Sequence, residues 1–281
     1  MNTVAVEHLM EAVRELPTMS EVALKALRLI DSAECSPHQV SQVVSLDQAL
    51  TANVLRLCNS AYYGFPRKIA SVQQGVVLLG LNATRNIILV ASMKSILDRD
   101  LKGYIMDCGE LWRHSLSTAF AGQIISEKSQ PDLRDAAFTG GLLHDVGKVV
   151  MSFYVQEQYG EIVDRVRQGA SFSEAEQQVV GFDHALLGSK ITERWNFPEE
   201  LVEAIGYHHE PGPVCERSKL VAIIHLADAI SLTMGVGLGG DGLCYHMSPQ
   251  VLEVLHFGER EIEEVMSRLG DKIADAGIFE V

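Results

Sequence analysis

Apolar residues along this chain recur at intervals of three and four rather than in alternation, and short breaks of Gly, Pro, Asn and Asp come at helix-length spacing. The pattern predicts an all-α protein. In the first hundred residues it predicts helices over 18–33, 37–45, 47–59, 71–79 and 82–98, begun at Pro17-Thr18, Ser36-Pro37 and Asn82-Ala83 and separated by turns at Gly64, Pro66 and Gly80. Leu50, Val54, Leu57 and Ala61 fall at i, i+4, i+7 and i+11, an inward-facing stripe, while Asn59 and Ser60 offer polar contacts beside a turn. Beyond a polar hinge at 98–103 the texture changes and histidines enter at new spacings, which predicts a subdomain over 1–100 and a second over 101–281. Helices are expected there over 109–128, 132–145, 152–168, 172–180, 183–195, 198–209 and 217–233, with Ser171 and Glu174 as a capping box. The glycine-rich run 235–242 interrupts the pattern, and 248–256 and 258–276 resume it.

With 281 residues, 47% of them hydrophobic and 21% charged, the chain can bury a sizeable core. A formal net charge of -14 without a basic face argues against a nucleic acid polymer as partner. The opening residues lack a basic segment leading into an apolar stretch, and no uninterrupted apolar run approaches the ~18–20 residues of a membrane span, so no membrane and a cytoplasmic location are expected. Five scattered cysteines (Cys35, Cys58, Cys108, Cys215, Cys244), never in a CxxC pair, read as reduced thiols that serve as small buried hydrophobes.

The chemistry concentrates at Gly140-Gly-Leu-Leu-His-Asp-Val-Gly-Lys148, where an apolar face ends in adjacent His144 and Asp145. An imidazole and a carboxylate beside Leu142, Leu143 and Val146 are costly to bury unless hydrogen-bonded or bound to a cation. Further metal-competent residues, His114, His184, His208, His209 and Asp228, lie on the other expected helices. Asp228 sits within an apolar helix, where an unpartnered carboxylate would be expensive. Mixed imidazole and carboxylate ligands suit Fe, Mn, Zn or Ni, and a carboxylate such as Asp145 can bridge two ions. Glu110, four residues before His114, shares a helix side with it, and Lys148 can reach back over the site if the chain turns at Gly147. Histidines held by ordinary hydrogen bonds, with no metal, remain an alternative at this point. His225 is expected in the core or behind a ligand, and His8, His38, His246 and His256 at the surface.

The order His114, His144-Asp145, Asp228 resembles that of the HD-superfamily phosphohydrolases, and Glu110, Lys148, His184 and His208-His209 occupy the places that the HD-GYP branch adds. That resemblance implies two divalent transition-metal ions, Fe or Mn ahead of Ni or Zn. His114, His144 and Asp228 would complete one shell and His184, His208 and His209 the other, with Asp145 bridging and Glu110 on a third ion or a water. Asp145 and Lys148 would be the catalytic pair. The segments Leu16-Pro-Thr-Met-Ser-Glu-Val-Ala-Leu24, Leu46-Asp-Gln-Ala-Leu50, Asn59-Ser-Ala-Tyr-Tyr63 and Val77-Leu-Leu-Gly-Leu81 resemble the HDOD signature, over roughly residues 16–230. This implies an HD-type helical fold with an amino-terminal helical subdomain packed on it. It also implies a signal-transduction role with a protein partner and a phosphate-containing ligand.

Two departures bear on activity. HDOD proteins frequently lack a full metal set, which this chain has. After His209 the sequence runs into Pro211-Gly-Pro213 without the Arg-x-Asp-Gly-x-Gly-Tyr-Pro segment of HD-GYP enzymes, which weighs against a cyclic dinucleotide as substrate. The choice between a phosphohydrolase or phosphodiesterase and a noncatalytic scaffold stays open at this stage. The match Gly235-x-Gly-x-x-Gly240 has no preceding strand and reads as a flexible loop rather than a dinucleotide site.

Overall fold

Capping residues set where helices begin. Ser36 and Gln39 cap each other's backbone with Pro37 in the first turn, and Asp47 accepts from the Leu50 amide at 2.9 Å. Ser171 and Glu174 form the expected capping box. The computed structural model describes residues 18–32, 34–60, 62–240 and 247–274. Expectations for Leu16, Pro17, Ala33, Ala61, Cys244, His8, His246, 241–242 and 275–276 lie outside the described residues.

The described residues form an all-helical chain whose β-type pairing is limited to one isolated bridge between Leu101 and Met106. It divides into two compact units, Thr18–Ile96 with 271–274 and, second, the described part of Leu97–Gly270.

The first unit holds α1 (Glu21–Ile30), α2 (Pro37–Val44), α3 (Gln48–Cys58) and α4 (Val72–Leu97). Leu50, Val54 and Leu57 are buried, as their spacing requires. Asn59 ties the following loop: its amide donates to the Leu55 and Ile69 carbonyls and its Oδ1 accepts from the Ile69 amide, all at 2.7–2.9 Å. Asn59→Ala is expected to cost about 1 kcal/mol, because its loop position leaves water to replace part of what is lost. A lowered urea midpoint with an unchanged slope would show it.

The expected helices 71–79 and 82–98 run on as one, broken in its dihedrals at Gly80 (φ 81, ψ 170). Gly80 turns the chain but does not end the hydrogen-bonded run. By length and composition alone α4 could cross a membrane, which scanning for uninterrupted apolar runs missed. Yet Ile87, Ile88, Leu89 and Met93 are buried within the fold, and Arg85 pairs with Asp31 at 3.0 Å, as in a core helix.

In the second unit, α5 (Glu110–Ser129) packs on α6 (Arg134–Leu143) and α12 (Lys219–Thr233). Helix α12 is buried all round from Leu220 to Ser231, the signature of a central helix. The unit also holds α7 (Lys148–Arg167), α8 (Phe172–Val179), α9 (His184–Arg194), α10 (Glu199–Gly206), α11 (Val214–Arg217), α13 (Pro249–Leu255) and most of α14 (Glu259–Ala274).

Three boundaries differ from the sequence reading in ways that matter. Helix α6 stops at Leu143, leaving His144 and Asp145 in a turn; α7 begins at Lys148 instead of 152; and α10 ends at Gly206, leaving His208 and His209 beyond it. The thiols also depart from expectation: Cys58 and Cys215 are buried, but Cys35 is half-buried and Cys108 exposed, bonded to Asp98 Oδ1 at 3.2 Å.

Candidate metal centre

Five elements deliver the polar residues to one point inside the second unit. Helix α5 presents His114 and α12 presents Asp228, and the serines one turn further along each helix, Ser117 and Ser231, bond at 3.0 Å and fix the register of the pair. The turn between α6 and α7 presents His144 and Asp145. Asp183 caps α9 through the Leu186 amide at 2.7 Å while accepting from Ser173 and Gln177 of α8, so His184 enters the helix in a fixed position. The segment after α10 supplies His208 and His209.

Asp145 occupies the middle, and its two oxygens face different partners. Oδ2 lies 3.5 Å from His114 Nε2, 3.2 Å from His144 Nε2 and 2.6 Å from Lys148 Nζ. Oδ1 lies 3.4 Å from His184 Nε2 and 3.7 Å from His208 Nε2. Asp228 Oδ1 sits 3.0 Å from His114 Nε2 and 3.6 Å from His144 Nε2. His209 Nε2 lies 2.7 Å from His184 Nε2. Potential ligand atoms lie within 4.8 Å of one another in three sets: Asp145, His184, His208, His209; His114, His144, Asp145; and His144, His208, Asp228.

Each of four imidazoles is anchored through Nδ1, which leaves Nε2 to point inward. His114 donates to the Val236 carbonyl at 3.1 Å, His144 to Gly141 at 2.8 Å, His208 to Ile205 at 2.6 Å, and His184 to Glu176 Oε2 at 2.7 Å. A neutral ring that donates through Nδ1 has a lone pair at Nε2, the arrangement of a metal-ligating histidine. His225 accepts from the Ser248 amide and donates to the His208 carbonyl, so it holds a neighbour in place from behind. His38 and His256 are exposed.

The donor set can hold a metal ion. Asp145 Oδ1, Asp228 Oδ2 and His208 Nε2 are buried without a hydrogen-bond partner, and lone pairs stranded this way are unfavourable unless a cation meets them. The proton equilibria carry the same sign. Burial disfavours the charged form of His144, but the Asp145 and Asp228 carboxylates outweigh it and raise that ring to about 10. Burial pushes Asp145 and Asp228 up, and their basic neighbours hold both well below the usual carboxylate range all the same: His144 and Lys148 for Asp145, His114 and His144 for Asp228. His209, pressed by burial and then by His208 and His184, is held well below its ordinary value. The centre thus favours positive charge among its oxygens, while burial holds His208 and His209 below the ordinary imidazole value.

The Glu110 carboxylate lies outside the three sets and accepts from the Asp107 amide at 2.7 Å, closing the first turn of α5. The run Gly235 to Gly240 lies against the site, because Val236 receives the His114 proton and a Cβ on Gly237 would meet Glu110 O at 2.5 Å. Glu176 and Tyr104 were not anticipated. No spacing marks them, since Glu176 sits among polar neighbours in a short helix. A cleft of about 330 Å³, lined among others by Asp183, Lys190, Tyr207, His209 and Glu210, reaches the centre at half-buried His209.

Comparison with known proteins agrees with this architecture. The chain is similar to an HDOD domain protein of unknown function from Geobacter sulfurreducens, at 26% identity over 98% of this chain and 96% of that one, with a TM-score of 0.76. It shares the fold of a candidate phosphohydrolase from Shewanella amazonensis SB2B, at 23% identity over 96% of both chains and a TM-score of 0.74. A Treponema pallidum (strain Nichols) protein of uncharacterised role is 22% identical over 78% of this chain, which spans 42% of that relative's length. The HDOD domain profile matches residues 16–211, well over half the sequence, and the chain belongs to the HDOD domain family.

Proposed function

We propose that this chain is a signal-transduction protein of the HDOD type whose centre holds two divalent transition-metal ions, Fe or Mn ahead of Ni or Zn, and hydrolyses a phosphate ester. One observation carries the reading: each oxygen of the buried Asp145 carboxylate faces its own group of imidazoles, as a carboxylate bridging two cations must. His114, His144 and Asp228 would hold one ion, and His184, His208 and His209 the other. The phosphohydrolase description of the Shewanella amazonensis neighbour is in keeping with it, although at 23% identity that neighbour speaks for the fold alone.

Bound cations would supply electrophilic activation of a phosphoryl oxygen and of water. The protein's own groups do the rest. Asp145 fixes the spacing of the centre, and the anchored imidazoles keep it rigid, so little reorganisation is needed as charge develops. Lys148, whose ammonium lies 2.6 Å from Asp145 Oδ2, keeps that carboxylate oriented and would offer a positive charge to a bound phosphoryl group. The cleft at His209 gives an ester its approach.

Protein loaded with Mn, Fe or Ni is expected to cleave bis-p-nitrophenyl phosphate or p-nitrophenyl phosphate at least ~100-fold faster than a His144→Ala control, since even changes behind a metal ligand cost 10–100-fold. Full metal occupancy with no turnover above that control would reject hydrolysis and leave a metal-bearing sensor. Deep burial of His114, His144, His184 and His208 is the observation in favour of that second reading.

A further inference from the structure

We infer that Glu176 and Tyr104 form a positioning unit for the His184 side of the centre, and that removing the Glu176 carboxylate weakens metal binding on that side alone. The inference rests on the two-ion reading above. Glu176 is fully buried in α8, and a carboxylate in such surroundings is unfavourable unless every lone pair is met. Both of its oxygens are engaged. Oε2 accepts from the His184 ring at 2.7 Å and from the His184 amide at 3.0 Å, and Oε1 accepts from the Tyr104 hydroxyl. The carboxylate is therefore locked in rotation and holds His184 in the tautomer that presents Nε2 to Asp145.

The contrast with the other anchored rings gives this contact its meaning. His114, His144 and His208 lean on the neutral carbonyls of Val236, Gly141 and Ile205, whereas His184 leans on an anion. An anion on the far nitrogen makes a ring a stronger donor at the near one. Charge balance points the same way. The His114 side has two carboxylates, Asp145 and Asp228, but the His184 side combines three imidazoles with Asp145 alone. Glu176 restores the missing negative charge one layer out, where it strengthens binding without occupying a coordination position.

Tyr104 links this unit to the lysine. Its ring lies 5.6 Å beneath the Lys148 ammonium, while its hydroxyl holds Glu176. The residue that steadies Glu176 on one side thus also floors Lys148 on the other.

The test is a Co(II) titration of the full chain, followed by visible absorption and by metal content after desalting. Wild-type protein should take up two equivalents. In Glu176→Gln, which keeps the shape, the first equivalent should bind as in wild type and the second 10–100-fold more weakly. Glu176→Asp should recover part of the second. Tyr104→Phe should weaken the second equivalent several-fold and alter its absorption bands, because the carboxylate stays but loses one restraint. Circular dichroism of each metal-free variant reports folding; should Glu176→Gln fail to fold, Tyr104→Phe carries the test by the same criterion. Two equivalents bound with wild-type affinity and spectrum in these variants, or an equal loss of both, would overturn the inference. Wild-type protein that takes up no Co(II) would overturn the two-ion reading along with it.

Discussion

If the centre holds two ions as proposed, Asp145→Asn is expected to lose both and with them at least ~100-fold of any hydrolytic rate, a lower bound because changes merely behind a ligand already cost 10–100-fold. The reason is the position of this one side chain. Its two oxygens face two groups of histidines, and an amide offers one acceptor oxygen and a nitrogen whose hydrogens would point at the other ion. A second effect follows in the metal-free protein. Lys148 is only 3% exposed and its ammonium bonds to Asp145 at 2.6 Å, so the substitution removes the counter-charge of a buried cation, at a cost of about 3–5 kcal/mol. Metal analysis and a denaturation curve measure the two effects separately. A variant that retained two ions per chain would sink the bridging assignment, whatever its activity.

What the sequence disclosed about this centre was its set of expensive residues. Asp228 stood out because an ionised carboxylate has no business on an apolar helix without a partner, and it proves to face His114 and His144. His144 and Asp145 stood out for the same reason. The buried stripe of Leu50, Val54 and Leu57 and the Ser171 cap were legible because periodicity and capping are local properties.

The parts that escaped were those decided by neighbours distant in sequence. Glu110 shares a helix side with His114, and its carboxylate also accepts from the Asp107 amide three residues earlier. Glu176, in the run Glu174-Ala-Glu-Gln-Gln178, reads as one more solvated charge until Tyr104, 72 residues earlier, is folded against it. The start of α7 was hidden because Val149, Val150 and Met151 are all buried, and a run with no exposed face has no period to detect. The glycine run after α12 offered no sign of its bond to His114, because that bond depends on a contact across 122 residues.

Gly147 offers the sharpest divergence between local propensity and tertiary demand. Its dihedrals are helical (φ -62, ψ -29), so from local structure an alanine there should be welcome and even stabilising. The packing says otherwise. A Cβ at this position would lie 2.0 Å from the His184 carbonyl oxygen and 2.7 Å from the Gly188 amide, both backbone atoms of α9 that no rotamer change can clear. Gly147→Ala must therefore push the turn bearing His144 and Asp145 away from the helix bearing His184. The expected result is a loss of about 4 kcal/mol or more, in the range reserved for severe core clashes, together with weakened metal uptake because the two halves of the ligand set separate. Gly160→Ala, on an exposed stretch of α7 where an added Cβ meets nothing within 4 Å, supplies the control with the opposite sign, a gain of about 0.5–1 kcal/mol. Paired urea denaturation curves on the metal-free variants measure both, and a Gly147→Ala protein as stable as wild type would show that α9 does not approach the turn this closely.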